Sequence, residues 1–83
     1  MKVFIIKFKY LHTAEKYVVE AEKCTQISPN KLHIKFYNNR DRDNFIIKVF
    51  LRGYMENSNL TTYDNALIIE AEGIKLLEEK DVR

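Results

Sequence analysis

The sequence predicts an all-β fold: a small, strongly curved antiparallel meander of about five strands, with closure into a barrel as one way to cover its apolar face. Three observations carry that expectation. Apolar and polar residues alternate with period two in several separate segments, the pattern of strands with one buried face. A clear tight turn, Ser28-Pro29-Asn30-Lys31, separates two such segments. Pairing the segments as successive hairpins also puts their inward residues on a common side, an agreement that a one-residue slip would destroy.

Phe4, Ile6, Phe8 and Tyr10 alternate with Ile5, Lys7 and Lys9 and read as a first strand. His12 to Lys16 is a short polar connection, and Tyr17 to Ile27 resumes the alternation through Val19 and Ala21. Placing Lys9 opposite Glu20 sets Lys7 against Glu22 and Phe8 against Ala21. At the proline turn, proline presets φ and asparagine tolerates the left-handed position that follows. Leu32, Ile34 and Phe36 then alternate with His33, Lys35 and Tyr37, so that Leu32 meets Ile27, Ile34 meets Thr25, and Cys24 lies opposite Lys35.

Asn38 to Asn44 reads as a charged hairpin tip. Phe45, Ile47, Val49 and Leu51, with Lys48, Phe50 and Arg52 between them, read as a fourth strand in which Phe45 faces Phe36 and Ile47 faces Ile34. Gly53 to Asn65 is a break, with Thr61 and Asp64 spaced as a helix cap. Residues 66–72 alternate through Leu67, Ile69 and Ala71 as a fifth strand, and residues 74–80 extend it or form a helical turn. The alternative class is α+β: a four-stranded antiparallel sheet covered by a helix from residues 66–80, whose Ala, Leu, Glu and Lys are good helix formers. Phe4-Ile5-Ile6-Lys7 recurs as Phe45-Ile46-Ile47-Lys48, and Val18-Val19-Glu20-Ala21-Glu22 as Ile68-Ile69-Glu70-Ala71-Glu72. The recurrence reads either as a degenerate duplication or as chance within a restricted alphabet.

Eighty-three residues suit one domain, 1–83, able to bury about 60–65% of its unfolded surface. Net charge is +2, unevenly spread: up to Met55 there are 11 Lys and Arg against 5 Asp and Glu, and from Glu56 onward 3 against 7. We expect these halves to neutralise each other across facing strands. One cysteine excludes an internal disulfide and suits a reducing compartment. The apolar run at Met1–Lys7 is too short for a signal peptide, and no stretch approaches the ~20 residues of a membrane span. A cytoplasmic location without membrane contact is therefore expected. Abundant Lys, Ile, Asn and Tyr suggest an AT-rich genome such as that of a phage or mobile element.

The outward face of the expected sheet carries Lys7, Lys9, His33, Lys35, Tyr37, Lys48, Phe50 and Arg52. Cations interleaved with aromatics suit single-stranded nucleic acid. Glu20, Glu22, Glu70 and Glu72 point to the same face as cross-strand partners, which weakens that reading. Tyr37 and Phe50 alternatively form an exposed aromatic cluster for protein binding or self-association. Arg40, Asp41, Arg42 and Asp43 form either a charged finger for a partner's groove or a solvated tip; the segment lacks the glycine and glutamate of a calcium loop. Lys35 opposite Cys24 would lower its pKa, but no histidine is placed to act as its base, and the alternative is that Cys24 is simply a small apolar residue. His12, His33 and Cys24 have no metal-ligand spacing, and neither a nucleophile motif nor a glycine-rich phosphate loop is present.

No cofactor and no enzymatic activity are expected. The leading expectation is a non-enzymatic binding module acting on a protein partner, for example as a phage or mobile-element inhibitor of a host defence protein, with strand addition at an open edge and homodimerisation as its modes. The alternatives are a single-stranded nucleic-acid-binding sheet and a small nucleotide or metabolite binder at a dimer interface.

Overall fold

The computed structural model describes residues 1–10, 13–51 and 58–82. Their order is β1 (Lys2–Tyr10), β2 (Thr13–Glu20), β3 (Lys23–Ser28), β4 (Lys31–Lys35), α1 (Asn39–Leu51), β5 (Asn59–Tyr63), β6 (Ala66–Glu70) and β7 (Lys75–Asp81). The strands form two open antiparallel sheets, a first of order β2-β1-β7 and a second of order β3-β4-β6-β5. The protein is mostly β, as its alternation predicts, but neither sheet closes, so the barrel is not formed.

Phe4, Ile6, Phe8 and Val19 of the first sheet, Leu32, Ile34, Leu67 and Ile69 of the second, and Phe45 and Val49 of α1 join one buried cluster. The two sheets and the helix thus cover one another's apolar faces, which a single flat sheet could not do. Aromatic rings connect the layers. Tyr17 on β2 meets Phe8 and Phe45 edge-on, with ring centroids 6.5 and 5.7 Å away, and Phe45 meets Phe36 at 5.4 Å.

The main correction concerns Asn39–Leu51, which forms one helix and not a charged tip followed by a fourth strand from Phe45. Phe45 and Val49 are buried and Ile46 is half-buried, whereas Ile47 and Leu51 are exposed; this is a period of 3.6, not 2. The expected contact of Ile47 with Ile34 is therefore absent, although Phe45 does reach Phe36. Asn38 caps the helix, its Oδ1 accepting the Asp41 N–H at 2.9 Å. Arg40, Asp41, Arg42 and Asp43 are accordingly the first turn of α1, not a hairpin tip. A helix does cover the sheets, but it comes from 39–51; residues 66–80, the source of the lid in the α+β alternative, are the strands β6 and β7.

Two registers also differ from expectation. In the β1–β2 hairpin Val3 faces Glu20, Lys7 faces Lys16 and Phe8 faces Glu15. The shift from the expected pairing is six residues, an even number, so every side chain keeps its face and the hydrophobic pattern could not tell the two apart. Thr13 to Lys16 is strand, not connection, whereas His12 lies outside the described residues. In β3–β4, Gln26 faces Leu32, Thr25 faces His33 and Cys24 faces Ile34. That shift is odd, and it turns Ile27 out to solvent and Gln26 and Cys24 inward.

The odd shift arises at a corner. Residues 17–27 are not one strand: the Ala21 N–H donates to Lys2 O in the first sheet (3.2 Å), and the next residue, Glu22, donates to Lys35 O in the second (2.8 Å). The second crossing follows β6, where the Ala71 N–H donates to Asn30 O at 2.9 Å and Gly73 turns the chain with φ of 75°. The recurring Glu-Ala-Glu segments are these two corners. The other recurrence has no shared structure, one copy being strand β1 and the other helix α1, so no duplicated unit results. Thr61 lies in β5 and not at a helix cap, while Gly53 falls outside the described residues.

Two side-chain clamps complete the assembly. Asn65 ties the β5–β6 turn to the end of β4: its Nδ2 donates to Phe36 O, and its own carbonyl accepts the Phe36 N–H. Gln26 joins the facing edges of the two sheets. Its Nε2 donates to Ile74 O (3.2 Å) and its Oε1 accepts the Leu76 N–H (2.7 Å). One amide thus bridges β3 and β7, where a backbone ladder would be needed to close a barrel.

Candidate binding surfaces

The predicted outward residues do not share one face. Lys7 and Lys9 lie on the first sheet, His33 and Lys35 on the second, Tyr37 precedes α1, and Lys48 and Phe50 are on α1. Arg52 lies outside the described residues. Tyr37 and Phe50 flank opposite ends of a 13-residue helix, roughly 18–20 Å apart along its axis, and so form no cluster. The Tyr37 hydroxyl accepts the Lys2 N–H at 3.3 Å.

The expected neutralisation holds on the second sheet and at its corners but with changed partners. Lys9 pairs with Glu72 at 3.2 Å and not with Glu20, Lys31 lies 3.9 Å from Glu70, and Lys35 lies 3.8 Å from Glu22. Lys7 lies in the first sheet, whereas Glu22 stands at the corner leading into the second, so the two do not pair. On the first sheet Lys7 instead stands between Lys16 on β2 and Lys75 on β7, in one cross-strand row. Among the described residues none of these three ammonium groups has a carboxylate partner. Like charges directly opposite are destabilising, so the row is a strongly positive spot on an otherwise balanced protein.

His33 has an intramolecular partner: its ring stacks on Tyr63 with centroids 5.9 Å apart, and its Nε2 lies 2.6 Å from the Tyr63 hydroxyl. Tyr63 reaches it across β6 because the intervening residue opposite Tyr63 is the small Ala66. Arg42 is also structural, donating to the Asp64 carbonyl and holding Asp43 at 3.0 Å. It fixes the start of α1 to the β5–β6 turn and is not available as a finger.

Cys24 lies opposite Ile34, not Lys35. Burial, reinforced by the negative charge of Glu79, pushes its thiol up to about pKa 12. The thiol therefore stays protonated, the reverse of the activation expected from a neighbouring lysine. It borders a shallow cleft of about 600 Å³ between the sheets, where Lys2, Lys23 and Lys35 face Glu22, Glu79 and Asp81 in balanced number. Among the described residues no three His, Cys, Asp or Glu side chains group as metal ligands, and no helix is long and apolar enough to cross a membrane.

Two further surfaces emerge from the fold. On the solvent side of α1, Ile47, Phe50 and Leu51 are 56%, 67% and 80% exposed and occupy one arc of the helix. Period two predicts Ile47 and Leu51 inward; the Asn38-to-Asp41 capping spacing is the sequence signal for a helix, which turns them outward. The other surface is β2, an edge strand that pairs on one side only. Its free side borders a groove of about 310 Å³ whose lining includes Tyr17, Val18, Glu20, Asn44, Phe45 and Lys48. Comparison with protein-family models, with curated proteins and with solved structures gives no significant match.

Proposed function

We propose that this chain is a non-enzymatic binding module that acts by occupying a surface on a protein partner, with the solvent-facing arc of α1 as its contact. The observation that carries the reading is the exposure of Ile47, Phe50 and Leu51 together on one helix face. Three large apolar side chains left side by side in water favour burial against apolar side chains of another protein. Mixed charges around them, from Asp43 and Lys48, suit the polar rim of such a contact. Inhibition of a host protein by a phage or mobile element is the biological setting we propose, on the AT-rich character of the composition.

Affinity capture from the native host with wild type, Phe50→Asp and Ile47→Asp tests the reading. Both side chains are exposed, so the variants should keep their stability within about 0.5 kcal/mol. Each should lose the captured partner by roughly tenfold or more. Undiminished capture by both variants would overturn the assignment of this surface.

A second reading has its own observation. The Lys16–Lys7–Lys75 row has no carboxylate among the described residues to neutralise it, which supports contact with a polyanion such as single-stranded nucleic acid. A salt titration of binding to single-stranded DNA and RNA decides it. A steep dependence that Lys7→Gln makes shallower supports the reading; weak binding that is flat with salt ends it.

A further inference from the structure

The free edge of β2 is self-complementary. Ala21 donates to Lys2 O, extending the β1–β2 ladder by one pair beyond Val3 and Glu20. Backbone bonds in an antiparallel ladder alternate, so Val19 and Tyr17 bond to β1, while Lys16, Val18 and Glu20 turn their N–H and C=O groups to the free side. The side chains of these same three residues are exposed on the outer face, with Val18 63% accessible. The β1–β2 pairing runs without a bulge, and Thr13–Glu20 contains no proline. Two common protections of an edge strand are thus missing.

Charge specifies what this edge accepts. Among the described residues neither Lys16 nor Glu20 has an ion-pair partner. They stand two residues either side of Val18. A two-fold axis through Val18 therefore sets Val18 against its own copy and Lys16 against the partner's Glu20, twice. All these pairs fall on one face and about six backbone hydrogen bonds form between hydrogen-bonded pairs. Moving the axis to Tyr17 or Val19 puts Lys16 or Glu20 against Val18 and loses both ion pairs. The axis at Val18 also supplies Lys16 with the counter-charge that its neighbour Lys7 cannot.

We propose that the protein forms a two-fold symmetric dimer in which β2 pairs antiparallel with β2 of a second copy, centred on Val18, joining the two first sheets into one of six strands. This surface is distinct from the arc formed by Ile47, Phe50 and Leu51, so the dimer and the partner contact are tested separately.

Sedimentation velocity over a wide concentration range, with wild type, Lys16→Glu, Glu20→Lys and the double exchange, tests the dimer. Lys16→Glu places a carboxylate opposite Lys7 within the same chain and so does not burden the monomer fold; circular dichroism checks this for every variant. Each single reversal turns two attractive pairs into two repulsive ones and should raise the dimer Kd roughly tenfold or more. The double exchange restores opposite signs and should return the Kd to within about threefold of wild type. A wild type that stays monomeric at the highest concentration overturns the proposal. So does a dimer indifferent to the single reversals, or a double exchange as weak as either one.

Discussion

At Cys24 the residue across the strand pair decides the chemistry. An alternation carried unbroken from Val19 would place Lys35 there, and the thiol would become a reactive thiolate. The chain instead changes sheets between Ala21 and Glu22, which shifts the alternation by one, so Cys24 faces Ile34 and is buried. Its folded pKa, about 12, lies above the ordinary 9.0. The protonated thiol is thus favoured by the fold. That contribution to stability is fully present below about pH 9 and is lost as pH rises from there towards 12. Native protein at pH 8 should react with a thiol reagent only through opening, so labelling should accelerate steeply with urea. Rapid stoichiometric labelling of the native state would contradict this account. The same parity shift explains Gln26, a polar residue at an inward position that expectation had given to apolar ones; its amide is satisfied by backbone groups of its own hairpin and of β7.

At the scale of elements, α1 and the β6–β7 corner show what local pattern conveys. Phe45, Ile47, Val49 and Leu51 satisfy period two, and β-branched Ile46, Ile47 and Val49 favour a strand. The same segment satisfies a helical period at Phe45, Ile46 and Val49, and a run this short fits both. Asn38 and Asp41 supply the N-terminal cap that a strand would not need. β6 is legible as a strand from its alternation and from Gly73, which interrupts a helix, whereas residues 74–80 fit a strand extension or a helical turn equally and form β7. That glycine has a second role: a Cβ there would lie 2.7 Å from Lys9 Cβ, an atom fixed to the β1 backbone, and φ of 75° is strained for any other residue. Gly73→Ala should therefore lower unfolding free energy by about 1–3 kcal/mol, read as a lower urea midpoint at unchanged slope. A midpoint equal to wild type would show that the corner relaxes freely.

For the whole molecule, the question raised by a half-apolar meander is what covers it. The answer is two sheets facing each other, with α1 against both and one buried cluster between them. Because that cluster draws on every layer, the sheets should unfold together. Far-ultraviolet circular dichroism and tyrosine fluorescence should give coincident urea transitions. Gln26→Leu removes the bridge between β3 and β7 and leaves the Leu76 N–H and Ile74 carbonyl without that partner. The expected cost is about 1–3 kcal/mol, with the two probes still coincident. Separate transitions in the variant would mean that the shared core is too weak to couple the sheets without the amide.

Alternation alone determined which stretches carry a buried face, and with it most of the core: Phe4, Phe8, Ile34, Phe36 and Phe45 are all buried. It determined the strand character of Ala66–Glu70 for the same reason, since period two depends only on neighbours along the chain, but not the corner at Ala71 and Glu72. Tertiary structure decided the rest. An even register shift leaves every face unchanged, so only the long-range pairing could set Lys7 against Lys16 and Lys75 and leave Lys16 and Glu20 without ion-pair partners among the described residues. Where the chain leaves one sheet for the other, parity along the sequence ceases to report which side faces inward, and that is where the binding surfaces and the buried thiol were decided.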